Sequence, residues 1–342
     1  MQIADLEHLM EQHPEVDVLA QQLSKKGNSH FLLSGLYASA RGMILAALHS
    51  RLKQKGSAPT MLIVMDNADD AQYMYADLLN INANTPARAV MLFPKSQRRR
   101  QGLDEALAIQ RTETLNNLAM KREGNEGEVI VVTYPDALKE EVPAPTTLAS
   151  NTLHLQVGET KQVSTLCEEL LQLGFDRMDF VYQPGQFAIR GSIVDIYSYS
   201  HDDPYRLDFF GDEIDSIREF DIETQLSKGL TQEACIVGHA AQEEDNTKHS
   251  LLSYLPTDTV WISNDWAMVH HTLSGTIAEE LLLQMDSATT IEWNEKSYYN
   301  THAHIRFNTL PQPIFRKQFD LLEDDLKSRI AAGYNLYILA DQ

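Results

Sequence analysis

Phe31-Leu32-Leu33-Ser34-Gly35-Leu36-Tyr37-Ala38-Ser39-Ala40-Arg41-Gly42-Met43-Ile44-Leu45 reads as a short apolar strand, a glycine turn and the start of a helix. The apolar positions Met43-Ile44-Leu45, Leu48 and Leu52 then recur at helical spacing. Downstream, the runs Met61-Leu62-Ile63-Val64-Met65, Val90-Met91-Leu92-Phe93 and Val129-Ile130-Val131-Val132 alternate with helical stretches from Tyr73 to Leu79 and from Leu107 to Leu118. Short buried-type strands separated by helices are the pattern of parallel strands joined by crossovers, so residues 28 to 143 are expected to form a three-layer α/β domain. Leu6, Leu9, Met10, Val18 and Leu19 predict helices ahead of it.

The aperiodic segment Val142-Pro143-Ala144-Pro145-Thr146-Thr147 marks a first boundary. A helix carrying Val163, Leu166, Leu170 and Leu171 then leads into dense short strands from Met178 to Asp221. Turn signals at Pro184-Gly185, Gly191, Asp202-Asp203-Pro204 and Gly211-Asp212 predict an antiparallel meander in a small α+β module. Helix and strand alternation returns after Gly238, at Leu251 to Tyr254, Thr259 to Ile262 and Ile277 to Leu283, so the meander is expected to be inserted into the α/β domain. Phe319 to Ile330 reads as an amphipathic helix and Gly333 to Leu339 as a strand after a helix-stop glycine. The expected division is 1–145 and 239–315 for the two parts of the α/β domain, 146–238 for the module, and 316–342 for the truncated start of a following domain.

Twenty-eight Lys and Arg stand against 49 Asp and Glu among 342 residues, a net charge of −21 that disfavours sequence-independent nucleic-acid binding by the whole chain. A hydrophobic content of 43% with 23% charged residues excludes a disordered or collagen-like chain. Cys167 and Cys235 are far apart and form no CxxC pair, which argues against a disulfide framework or a cysteine zinc site. The acidic N-terminus and the lack of a long apolar run predict neither export nor membrane insertion, hence a cytoplasmic location.

Gly35 to Gly42 sit where a Walker A loop would lie between strand and helix. Gly35 matches the first glycine, but Ala40 replaces the second, Arg41 the phosphate-reaching lysine, and Gly42 the hydroxyl that holds Mg²⁺. Two readings follow. Any strand-turn-helix junction can carry a glycine, or a P-loop domain has lost nucleotide binding and persists as a scaffold; neither hydrolyses ATP.

In Tyr205-Arg206-Leu207-Asp208-Phe209-Phe210 the alternation sends Tyr205, Leu207 and Phe209 inward and Arg206, Asp208 and Phe210 outward. Phe187 and Ile189 are likewise expected to be buried, with Arg190 outward. Two outward arginines and a phenylalanine suit a docking surface. The alternative is that Arg190 and Arg206 pair with Asp195, Asp208 or Asp215 across strands, each exposed pair worth about 1 kcal/mol or less.

The run Gly185-Gln186-Phe187-Ala188-Ile189-Arg190-Gly191-Ser192-Ile193-Val194-Asp195-Ile196, followed by Pro204-Tyr205-Arg206-Leu207-Asp208-Phe209-Phe210-Gly211-Asp212-Glu213-Ile214-Asp215-Ser216-Ile217-Arg218, resembles the module shared by UvrB and the transcription-repair coupling factors. With the altered loop upstream it is most similar to the coupling factors. So is Phe93-Pro94-Lys95-Ser96-Gln97-Arg98-Arg99-Arg100, in a region where UvrB has a tyrosine-rich hairpin. The resemblance spans roughly residues 28 to 342 and is strongest over 174 to 221. It implies a degenerate P-loop domain of the RecA and UvrB kind, with Gly35, Ala40, Arg41 and Gly42 not binding nucleotide and no cofactor. It also implies that the module recruits UvrA through Arg190, Arg206 and Phe210. In full-length members of the family a C-terminal domain covers that surface. RNA polymerase and DNA are engaged by parts beyond residue 342 that include an ATP-dependent translocase.

Arg98, Arg99 and Arg100 suit DNA phosphates or polymerase, or a solvated loop. His270-His271 and the pair His302 and His304 lack a cysteine or carboxylate at ligand spacing, so no metal site is expected. The rival functions are a UvrB-type ATPase that binds damaged DNA, and a purely autoinhibitory structural domain.

Overall fold

The computed structural model describes residues 8–336 except 25–28, 58, 83–87, 97, 100–101, 104, 125–126, 202, 239–248, 312, 314 and 317. Seven strands form a parallel sheet: β1 (His30–Ser34), β2 (Met61–Val64), β3 (Arg88–Leu92), β6 (Glu128–Thr133), β15 (Val260–Ser263), β16 (Thr289–Glu292) and β17 (Ala303–Arg306). Their order is β17-β1-β16-β15-β2-β6-β3, so strands distant in sequence become neighbours. All six pairings are parallel. β2 and β6 are buried at every residue, as central strands covered on both faces must be.

Helices Pro14–Leu23, Ala40–Gln54, Ala68–Asn82, Glu105–Arg122, Trp266–Thr272 and Gly275–Met285 supply the crossovers and flanks. Leu45, Leu48 and Leu52 of the second join Ile63, Val131 and Ile262 in one core. The expected helix at Leu251–Tyr254 is a single 3₁₀ turn, capped by the Ser250 hydroxyl, which accepts from Leu252 N at 3.2 Å. β4 (Arg98–Arg99) and β5 (Gly102–Leu103) make a minimal hairpin; Arg100 lies outside the described residues.

Between β6 and β15 lies a second sheet: β8 (Asp176–Met178), β9 (Gln186–Arg190), β10 (Ile193–Tyr197), β11 (Tyr205–Phe210), β12 (Glu213–Phe220) and β13 (Ser227–Thr231). The order β13-β12-β11-β10-β9-β8 is a meander in which every pair is antiparallel except β8 with β9. The two-residue turns Gly191-Ser192 and Gly211-Asp212 have their glycines at φ +64 and +65, which a hairpin of this length demands. Helix Val163–Gln172 lays Leu166 and Leu170 on the inner face, beside Phe187, Leu207, Phe209 and Ile217. The pair β7 (Thr152–Gln156) and β14 (Glu233–Val237) adds Leu155 and Ile236 to that core.

Tyr334, Asn335 and Leu336 follow helix Phe319–Ala331 without regular structure, and the rest of the strand expected there lies outside the described residues.

Candidate protein-docking face

The outer face of the six-stranded sheet gathers the residues singled out in the sequence. On β11, Tyr205, Leu207 and Phe209 are buried, Arg206 and Asp208 are half-buried, and Phe210 is 81% exposed. Pairing aligns a row across the face: Met178, Ala188, Asp195, Arg206, Arg218 and Leu230. One end of the face is closed by Val181, Tyr197 and Phe220 in a small apolar cluster. That cluster also buries Ala188, so β9 hides residues on both its faces.

Asp195, 1% exposed, lies at the centre of the row. Its carboxylate accepts Nε and Nη2 of Arg206 at 2.7 and 2.9 Å and also accepts Nη2 of Arg190. Arg206 stacks 4.1 Å from the Phe220 ring centroid and donates to the backbone O and the Oε1 of Gln225 at 3.3 and 3.2 Å. Arg190 lies 5.0 Å from the ring centroid of Phe180, itself 44% exposed. Asp208 pairs instead with Arg218 at 3.2 Å, and Asp215 is exposed. Arg190, Arg206 and Phe210 therefore share one face, and the arginines also make the cross-strand pair with Asp195. Phe180 and Gln225 carry no sequence signal, because they reach the arginines from loops, and Phe220 meets Arg206 from the end of the neighbouring strand β12.

The Gly35 to Gly42 loop after β1 opens on a separate cleft of about 700 Å³ at the carboxyl ends of β1, β2, β15 and β16. Gly35, at φ +71, is dictated by packing: a Cβ there would lie 1.9 Å from the carbonyl oxygen of Phe307. Gly42 faces Ile81, Asp77 and Met74, where one helix packs on the next. Arg41 donates Nε to the Leu36 carbonyl at 3.3 Å and Nη1 to Asn264 at 2.8 Å, and lies 5.5 Å from the Trp293 ring centroid. Ala40 opens the helix, and Asp66, Asp70, Asp77 and Asp265 line the cleft. His302 Nδ1 accepts from His30 N at 2.9 Å, His304 Nε2 lies 2.7 Å from Ser34 Oγ, and His270 stacks on Tyr298.

Residues 153–241 match the family model described as the UvrB interaction domain. That segment of the chain is therefore similar to a UvrB interaction domain. Those residues include the face just described. The chain is 30% identical over 206 residues to the transcription-repair-coupling factor of Bacillus subtilis (strain 168), covering 59% of this chain and 16% of that protein. It is 31% identical over 215 residues to the factor of Staphylococcus aureus (strain bovine RF122 / ET3-1), covering 61% and 17%. The chain thus spans about one sixth of the length of the curated relatives it matches. It is thus similar to the N-terminal region of transcription-repair-coupling factors. Among the described residues no helix is long and apolar enough to cross a membrane.

Proposed function

We propose that this chain is a non-catalytic recruitment module of transcription-coupled nucleotide excision repair, binding UvrA through Arg190, Arg206 and Phe210 on the outer face of the six-stranded sheet. The observation that carries it is Phe210, 81% exposed on the same face as two arginines that share a single carboxylate. An exposed phenylalanine contributes nothing to the core. Buried at an interface it contributes about 1.5–3 kcal/mol, and charge-assisted bonds from the arginines add about as much each. Two positive charges against one negative leave the centre of the face cationic on a chain of net charge −21, which suits an acidic patch on the partner. Engagement of RNA polymerase and DNA, ATP-driven translocation and masking of this face by a C-terminal domain are assigned to other parts of such a factor.

The cleft supports the non-catalytic half of this reading. Arg41 is committed to Leu36 and Asn264, and the surrounding carboxylates repel a triphosphate. Calorimetric titration of UvrA into the chain tests the docking: saturable binding is expected, with a loss in Arg206→Glu whose folding is verified by circular dichroism. No binding by the unaltered chain would leave an intramolecular clamp as its role.

A further inference from the structure

We propose that Asp195 is the positioning residue of this face: its buried carboxylate sets the orientation in which both arginines meet the partner. This rests on the UvrA-docking reading and adds to it a residue that is itself closed to contact, being 1% exposed. The arrangement follows from register. Asp195 is directly opposite Arg206 on β11, while Arg190 ends β9 diagonally across from it, since Asp195 pairs with Ala188 and Arg190 with Ile193. The carboxylate accepts three bonds from the two guanidinium groups, with Oδ2 shared by Nη2 of both, and carries the charge that holds two cations together, which an amide would not.

Each arginine is held a second time by a ring, Phe180 for Arg190 and Phe220 for Arg206. The two are not equally available. Arg206 is tied further to Gln225 and its side chain is 15% exposed, whereas that of Arg190 is 35% exposed. A long side chain fixed during folding loses less freedom on association, so the clamp favours affinity without adding a contact.

The test is a thermodynamic cycle in UvrA affinity over the native chain, Asp195→Asn, Arg190→Ala and the double variant, each verified as folded by thermal unfolding. Asp195→Asn is expected to weaken UvrA about tenfold in the native background and clearly less once Arg190 is absent. An equal penalty in both backgrounds, or none in the native one, overturns the proposal while leaving UvrA docking intact. No binding by the native chain overturns the docking reading instead. Nitrogen-15 relaxation of the Arg190 and Arg206 side chains in the free native chain needs no variant. Rigid Nε–H vectors, with order parameters above about 0.6, are expected, and freely mobile ones overturn the clamp.

Discussion

Glu128, at the first residue of β6, and Asp195, in the middle of β10, are both almost sealed from water, and each draws basic side chains to itself. Around Glu128 stand His49 Nδ1 at 3.0 Å, Arg88 Nε at 3.0 Å and Lys53. His49 and Arg88 are themselves buried, and the Arg88 fork also reaches Asn82 and the Ser50 hydroxyl. Hydrogen bonding from His49, and then from Lys53 and Arg88, holds the Glu128 carboxyl far below the usual carboxylate range, although desolvation alone would raise it. That cluster joins the starts of β3 and β6 to helix Ala40–Gln54. Around Asp195 the cations lie on an open face, with Phe210 beyond them. The same chemistry therefore ties two strands to a helix where its partners His49 and Arg88 are enclosed, and holds two arginines at the surface, as the proposed docking requires, where they are not.

The contrast is sharpest under substitution. Glu128→Gln leaves buried Arg88 without its anion and is expected to cost about 3–5 kcal/mol of stability in urea unfolding, with UvrA affinity of the folded protein unchanged. Phe210→Ala is expected to do the reverse: a loss of about 1.5–3 kcal/mol in UvrA binding with an unchanged Tm. If Phe210→Ala lowers the Tm, or Glu128→Gln lowers the affinity, the division between the two regions fails.

Acid separates them as well. Burial lowers the His49 pKa below its ordinary 6.5, and Glu128 is held below its ordinary 4.5, so the unfolded chain binds more protons than the folded one at both groups. Stability from this cluster is full above about pH 6.5 and is lost as the pH falls through 6.5 and then below 4.5, a decline of about 1–3 kcal/mol in urea titrations. Glu128→Gln should flatten the lower part of that decline. The smallest effect concerns the cleft. Millimolar Mg-ATP is expected to leave the Tm where it is; a rise fitting micromolar affinity, about 3–4 kcal/mol of stabilisation by mass action, would revive the ATPase reading.

Much of this was legible in the residues themselves. Fully apolar runs such as Met61-Leu62-Ile63-Val64 belong in the middle of a parallel sheet because no face of them tolerates water. The period of two along Tyr205 to Phe210 placed Arg206 and Phe210 on the outer face whatever they meet there. The departures had physical causes. Ala188 is buried because loop residues Val181 and Ile222 pack on the outer face, and β8 runs parallel to β9 rather than antiparallel. The Glu128 cluster has no sequence signal, since Glu128 is 79 positions from His49 and 40 from Arg88 in a chain rich in acids.

The sequence by itself determined the α/β layers, the antiparallel meander and the direction of the side chains along β11, because burial there follows local periodicity. It also determined that the loop after β1 lacks the lysine and hydroxyl of a phosphate site. Tertiary structure decided which carboxylate serves which cation. Asp195, Asp208 and Asp215 were equally plausible partners along the chain, and only the strand register put Asp195 between Arg190 and Arg206. Charge pairing acts over a few ångströms, and those distances are set when strands far apart in sequence are laid side by side.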